Sequence, residues 1–159
     1  MMLQVHAIIQ AGGLGLRIQA AAGTTPKPLL PVGGVPMIER LLCQVTAAGV
    51  NKVTVVLGPN GGCIREPVLR ILSALPADVQ LQFFVETTGL GNAGALGEIR
   101  TADDHVLLCF ADLVTDISFA ELVALHERRG CNVTLTSHYE DHQLTLGELT
   151  VDGDAVRGY

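Results

Sequence analysis

The chain has 159 residues, 48% of them apolar and 16% charged, which is enough to close one ordinary domain around its own core. A formal charge of -6 provides no basic field for a nucleic-acid groove, so nucleic acid is not an expected partner and anions must be met by local groups. Apolar segments are interrupted every few residues by Gly, Pro or charge, well short of the roughly 20 apolar residues of a membrane span, so no membrane association is expected.

The start, "MMLQVHAIIQ", has neither a basic n-region nor an A-x-A cleavage pattern, so no secretory leader is expected. Its second half, "QVHAIIQ", reads as a buried strand. A glycine-rich stretch and a Pro-Lys-Pro follow before "MIERLLCQVTAAG", a helix that Pro36 can open and Gly49 can close. Then come a strand, "NKVTVVLG", and a helix, "IREPVLRIL", which Pro67 predicts to start near Glu66. Strand "VQLQFFVE", helical "GNAGALGEIRT" and strand "HVLLCFAD" continue the alternation. Ser118 caps "FAELVALHERR", with Glu121 completing a capping box and Gly130 ending the helix. "CNVTLTSH" continues the pattern as a further strand, and "LGELTVDGDAVRGY" alternates on both sides of Asp152-Gly153-Asp154 as a β-hairpin does. Alternating β and α at these spacings predicts an α/β fold, a mostly parallel sheet with helices on both faces, ending in a hairpin. Residues 1–159 read as a single domain.

Cys43, Cys63, Cys109 and Cys131 contain no C-x-x-C, which suits a reduced, cytoplasmic chain; Cys43 and Cys109, inside apolar runs, are expected to act as small core residues. His138 and His142 leave a strand toward a polar loop, and His126 reads as a partly exposed helical residue, so no histidine metal site is predicted.

"AGGLGLR" follows the first strand, where glycines let backbone N–H groups converge on an anion. The dinucleotide fingerprint G-x-G-x-x-G would need glycine where Ile18 stands and an acid ending the second strand, which reads "VVLGPN". Both are missing, as is the P-loop G-K-[ST]. What remains is Gly12, Gly13 and Gly15, then Arg17, and Lys27 held between prolines. Backbone donors with two separate cations suit a triphosphate whose charge moves onto a leaving pyrophosphate. The same residues also fit a glycine-rich surface turn with solvated cations. Asp112 ends the apolar strand "HVLLCFAD" at the edge where open α/β sheets bind ligands, and can hold Mg²⁺ or merely cap a turn. Gly89, Gly91 and Gly94 would let a base or sugar approach the backbone closely.

Taken in order, "AGGLGLR…TPKPLLPVGGVPMI", "ETTGLGNAGAL" and "LLCFADLVTDI" resemble the sugar-1-phosphate nucleotidyltransferases over nearly the whole chain. The resemblance implies a Rossmann-like three-layer fold and conversion of a nucleoside triphosphate and a sugar 1-phosphate, with Mg²⁺, to an NDP-sugar and pyrophosphate. It gives Arg17 and Lys27 catalytic roles toward the phosphates, Asp112 the metal, and Ala11, Gly12, Gly13, Gly15, Glu86 and Gly91 the nucleotide. It also implies a homo-oligomer. Leu16 departs from the pattern, standing where the family usually has Thr or Ser. The family's domain normally continues beyond the equivalent of Tyr159 with a lysine for the sugar phosphate and a second metal-binding Asp, so a truncated domain is expected.

Glu86 holds the position of a base-reading glutamine in thymidylyl members. A carboxylate accepts two N–H bonds side by side, matching guanine N1–H and its 2-amino group, whereas thymine and uracil offer one N–H between carbonyls. "ETTGLGNAGAL" also resembles the mannose-1-phosphate guanylyltransferases more than the thymidylyl enzymes, so a GDP-hexose is the favoured product. Thymidylyl or uridylyl transfer to glucose 1-phosphate, and a non-catalytic nucleotide-sugar-binding domain, are the alternatives.

Overall fold

The computed structural model describes residues 4–13, 23–59, 61–140 and 150–158. The chain divides into two compact units, Met1–Arg129 and Gly130–Tyr159.

The first unit is built on four parallel strands, β1 (Val5–Gln10), β4 (Lys52–Leu57), β5 (Gln80–Val85) and β6 (His105–Phe110), in the spatial order β5-β4-β1-β6. A small ladder, β2 (Pro31–Val32) and β3 (Val35–Pro36), precedes helix α1 (Met37–Ala47). Helices α2 (Gly62–Leu72), α3 (Ala95–Glu98) and α4 (Phe119–Arg129) complete it. The chain steps from β1 to β4 to β5 in one direction, then returns to the far side of β1 for β6. Right-handed crossovers must therefore place the first two connections on one face and the β5-to-β6 connection on the other.

The packing follows this rule. Ala7, Ile9, Val53, Val55, Leu57, Leu107 and Cys109 form one core with α1, α2 and α4, represented by Ile38, Leu42, Ile64, Val68 and Phe119. On the opposite face Ile8 and Val56, flanked by Phe84 and Leu108, meet Ala95 and Ile99. Burial on both faces is why β1 and β4 read as mostly apolar runs, broken only by His6 and Thr54 between their ends, rather than alternating ones.

Pro36 does stand before α1, and Gly49 follows it at φ +83°. Ser118 Oγ accepts the Glu121 N–H at 3.2 Å, the predicted cap of α4. Two expectations are corrected here. Helix α2 begins at Gly62, not near Glu66, with Pro67 inside it. Ile64 and Val68, one turn apart, both bury against the sheet and hold the turn ahead of the proline, at the loss of one backbone bond. Cys43 is exposed, because the buried stripe of α1 runs through Met37, Ile38, Leu41, Leu42 and Val45 and bypasses it; Cys109 is in the core, where burial pushes its thiol up to about 12.

In the second unit β7 (Thr150–Asp152) pairs antiparallel with β8 (Ala155–Gly158) around Gly153 at φ +60°, the predicted hairpin. The strand expected at "CNVTLTSH" is not formed: residues 131–138 carry no strand, and Val133 and Leu135 are 71% and 86% exposed. Alternating β-branched residues favour an extended chain, but that preference acts locally, whereas a ladder is made by pairing with a distant segment.

Two polar side chains are sealed inside the sheet. The buried Thr54 hydroxyl lies 2.7 Å from His6 Nε2 and accepts the Gln82 amide at 2.7 Å. His6 Nδ1 has no hydrogen-bond partner and faces Asp103 Oδ2 at 3.7 Å; Lys52 Nζ donates to that same oxygen at 2.6 Å, and Thr101 Oγ1 also donates to it. Burial, reinforced by the Lys52 ammonium, lowers the His6 pKa against the pull of Asp103. Hydrogen bonds from Lys52 and Thr101 lower that of Asp103. Below the ordinary histidine value of about 6.5 the unfolded chain therefore binds a proton that folded His6 refuses, and stability falls as pH falls. The Asp103 contribution is present above about pH 3.9 and is lost only as pH drops below it. Urea unfolding at pH 7, 6 and 5 should show declining stability, with a shallower decline in His6→Gln; equal slopes in the two proteins would count against this account.

Candidate nucleotide site at the carboxyl edge of the sheet

The reversal in strand order leaves β1 between neighbours whose connections leave on opposite faces, the topological switch point at which open α/β sheets bind ligands. Backbone bonds carry the ladder one step past the strand ends: Ala11 N–H to Val56 O at 2.8 Å, Ala111 N–H to Gln10 O at 2.9 Å and Glu86 N–H to Leu57 O at 2.8 Å. With the strand registers, this puts Glu86, Gly58, Gly12 and Asp112 in one row across the carboxyl edge. Three strand spacings separate its ends, on the order of 14 Å. That length suits a ligand with two chemically different ends.

Glycine loops form the middle of the row. A Cβ on Gly12 would lie 3.0 Å from Gly58 N, and one on Gly58 only 2.7 Å from Gly12 O, so these glycines are needed for close approach of two backbones. Gly13 is exposed and a Cβ there would meet nothing within 4 Å. Ala11 is buried below them. Gly15 and Arg17, with Leu16, lie outside the described residues.

At one end stands Lys27, in a turn of 3-10 helix (Lys27–Leu29) between Pro26 and buried Pro28. Its Nζ donates to Asp112 Oδ2 at 2.6 Å. The sequence assigned these two residues separate tasks; the fold joins them across 85 positions. Their side chains are 34% and 44% exposed, so the pair contributes little stability and exchanges readily with solvent or an incoming ion. Among the described residues no group of three or more His, Cys, Asp or Glu side chains gathers as a metal cluster. One accessible carboxylate fits Mg²⁺ that arrives with phosphate oxygens and keeps several waters.

At the other end Glu86 is buried, and its Oε1 has no hydrogen-bond partner among the described residues. An orphaned carboxylate oxygen is costly inside a protein and calls for a reason. The chain then turns at Gly91, φ +77°, toward α3. Gly94 admits no side chain, since a Cβ would fall 2.2 Å from Leu90 O.

Sequence reasoning missed Gln10 and Gly58. Gln10 Nε2 donates to Asn92 O at 3.3 Å and Gly91 O at 3.5 Å, tying the central strand to the loop after Glu86. A polar residue ending the apolar run "AIIQ" was the available signal. Gly58 was legible only as a glycine after a strand; its tight partner comes from another loop.

The chain matches the family model for nucleotidyl transferases over residues 6–154. It is 29% identical over 135 residues to a mannose-1-phosphate guanylyltransferase of Mycobacterium tuberculosis, covering 83% of this chain and 36% of that protein. It is 35% identical over 116 residues to a 2-aminoethylphosphonate cytidylyltransferase of Lancefieldella rimae, covering 70% of this chain and 44% of that one. The structure superposes on UDP-glucose pyrophosphorylase from Acinetobacter baumanii with a TM-score of 0.65 at 21% identity, covering 81% and 54% of the two chains. These likenesses define an α/β protein with the nucleotidyltransferase sheet. The chain belongs to the nucleotidyl transferase family. It spans roughly two fifths of the length of these two relatives, 36% and 44%.

The Gly12–Gly58 contact yields a direct test. Gly58→Ala should cost about 1–3 kcal/mol in urea unfolding, as overpacking does, because the atom it meets is backbone. Gly13→Ala, which meets nothing and requires no positive φ, should stay within about 0.5 kcal/mol. Equal effects at the two positions would show that the loops do not approach as described.

Proposed function

We propose that this chain contributes the nucleotide-binding half of a sugar-1-phosphate nucleotidyltransferase, with guanine as the base and a GDP-hexose as the product. The observation that carries the proposal is the carboxyl-edge row, with a buried carboxylate that has one oxygen unpartnered among the described residues at one end, an accessible Lys–Asp pair at the other, and close-packed glycine loops between.

The Glu86 end takes the base. Guanine N1–H and the 2-amino group would give the carboxylate the donors it lacks. The name of the mycobacterial relative supports guanine, while that of the cytidylyl relative names another base. The loop after β1 takes the phosphates through backbone N–H groups, with Arg17 placed by resemblance and Lys27 reaching in from its proline-braced turn. Asp112 would hold Mg²⁺, which when bound neutralises phosphate charge. An oxygen of the sugar phosphate attacks the α-phosphorus in line as the bond to the β-phosphate oxygen breaks, so pyrophosphate leaves with its electron pair and no enzyme nucleophile is required. Lys27 neutralises charge building on the departing pyrophosphate. A cytoplasmic setting and a homo-oligomer accompany this reading. Leu16, with no hydroxyl for the phosphates, favours a second reading, a domain that binds nucleotide sugars without turnover.

Pyrophosphate release with each nucleoside triphosphate and a panel of sugar 1-phosphates separates the two; binding without release supports the second. Glu86→Gln places an amide donor against the guanine 2-amino group, leaving a buried donor unpaired at about 1–3 kcal/mol, and should turn preference from GTP toward dTTP and UTP. An unchanged ranking would sink the guanine assignment alone. Asp112→Asn should leave the melting temperature nearly unchanged, since its ion pair is exposed, yet weaken nucleotide binding in Mg²⁺ far more than in EDTA. Equal weakening in both buffers would remove Asp112 from the metal.

A further inference from the structure

Gln10 lies outside the phosphate and metal groups, yet its surroundings are specific. It ends β1, the strand flanked by β4 and β6, and its backbone carbonyl accepts the Ala111 N–H at 2.9 Å. Its register partners are Val56 and Phe110, and Val56 pairs in turn with Phe84, which precedes Glu86 by two residues and so shares its face. The side chain of Gln10 therefore rises from the middle of the sheet on the face bearing Glu86, one row behind it. From there its amide N–H groups meet the carbonyls of Asn92 and Gly91.

The segment these bonds hold has few other ties. Glu86 is anchored by its N–H on Leu57 O, and backbone bonds resume where Leu96 N–H meets Ala93 O and Ile99 N–H meets Ala95 O. Residues 87 to 93 between them are exposed and without regular structure, and Gly91 takes a backbone conformation that leaves it little steric restraint of its own. A span of this kind, beside a buried carboxylate, would admit bases of several shapes unless something fixed its height above the sheet. Gln10 is placed to do so. Both carbonyls turn toward its amide.

We propose that Gln10 is a positioning residue for base selection: it sets the Gly91–Asn92 backbone against Glu86 and so narrows the base slot without touching the base. This rests on the reading of Glu86 as the base-binding carboxylate. Gln10→Leu keeps the bulk and removes both donors; Gln10→Glu keeps length and shape but presents only acceptors to the two carbonyls.

The test is calorimetric binding of GTP, UTP and inorganic triphosphate, in Mg²⁺ buffer, to the full chain and both variants. Each variant should lower the ratio of GTP to UTP affinity about three- to tenfold, as loss of one or two modest hydrogen bonds would. Affinity for inorganic triphosphate, which reports the phosphate end alone, should stay within about twofold. A ratio unchanged in both variants, or equal weakening of all three ligands, overturns the role of Gln10. A wild type that binds GTP and UTP equally rejects the Glu86 reading and the inference together, and so is distinguishable from failure at Gln10 alone.

Discussion

Everything in the larger unit depends on the position of β1 between β4 and β6. Because the chain winds one way from β1 through β4 to β5 and then reverses to β6, right-handed crossovers send connections to both faces and leave a gap between them at the carboxyl edge. The same arrangement buries β1 on both faces, which demands a mostly apolar strand. Core and site are two consequences of one topological choice.

Along that edge the groups are sorted by burial. Glu86 is enclosed, where a carboxylate must be met by directed donors and so discriminates by geometry. Asp112 and Lys27 lie open, where charge is screened, the pair is weak, and partners can exchange. Such a division suits the nucleotide proposed above. At the other end of the strands, Asp103 joins Lys52 and Thr101 beneath the buried His6–Thr54–Gln82 contacts, a polar cluster that adds pH sensitivity to the fold and takes no part in the carboxyl-edge row.

Much of this was legible beforehand. The four parallel strands, the Pro36 and Ser118 helix starts and the Gly153 hairpin follow from local rules, since periodicity, capping and turn chemistry act over a few residues. Failures came where a local rule met a distant partner. Pro67 argued for a late helix start, but Ile64 and Val68 had a sheet to bury against. "CNVTLTSH" has strand composition, but composition does not set pairing. The Gly33-Gly34 turn of the β2–β3 ladder, both residues at positive φ, was a signal available in "PVGGVP" and passed over.

By itself, then, the sequence determined the alternation of strand and helix and the family, because these follow from neighbours in the chain or from ordered motifs. Only the tertiary structure decided that Lys27 sits on Asp112, that Gly12 and Gly58 must both lack a side chain, that Glu86 is buried with its Oε1 unpartnered among the described residues, and that Gln10 reaches the loop at Gly91. Each of these depends on segments brought together by strand order and register, and a contact across 46 or 85 positions leaves no periodic trace in the chain that makes it.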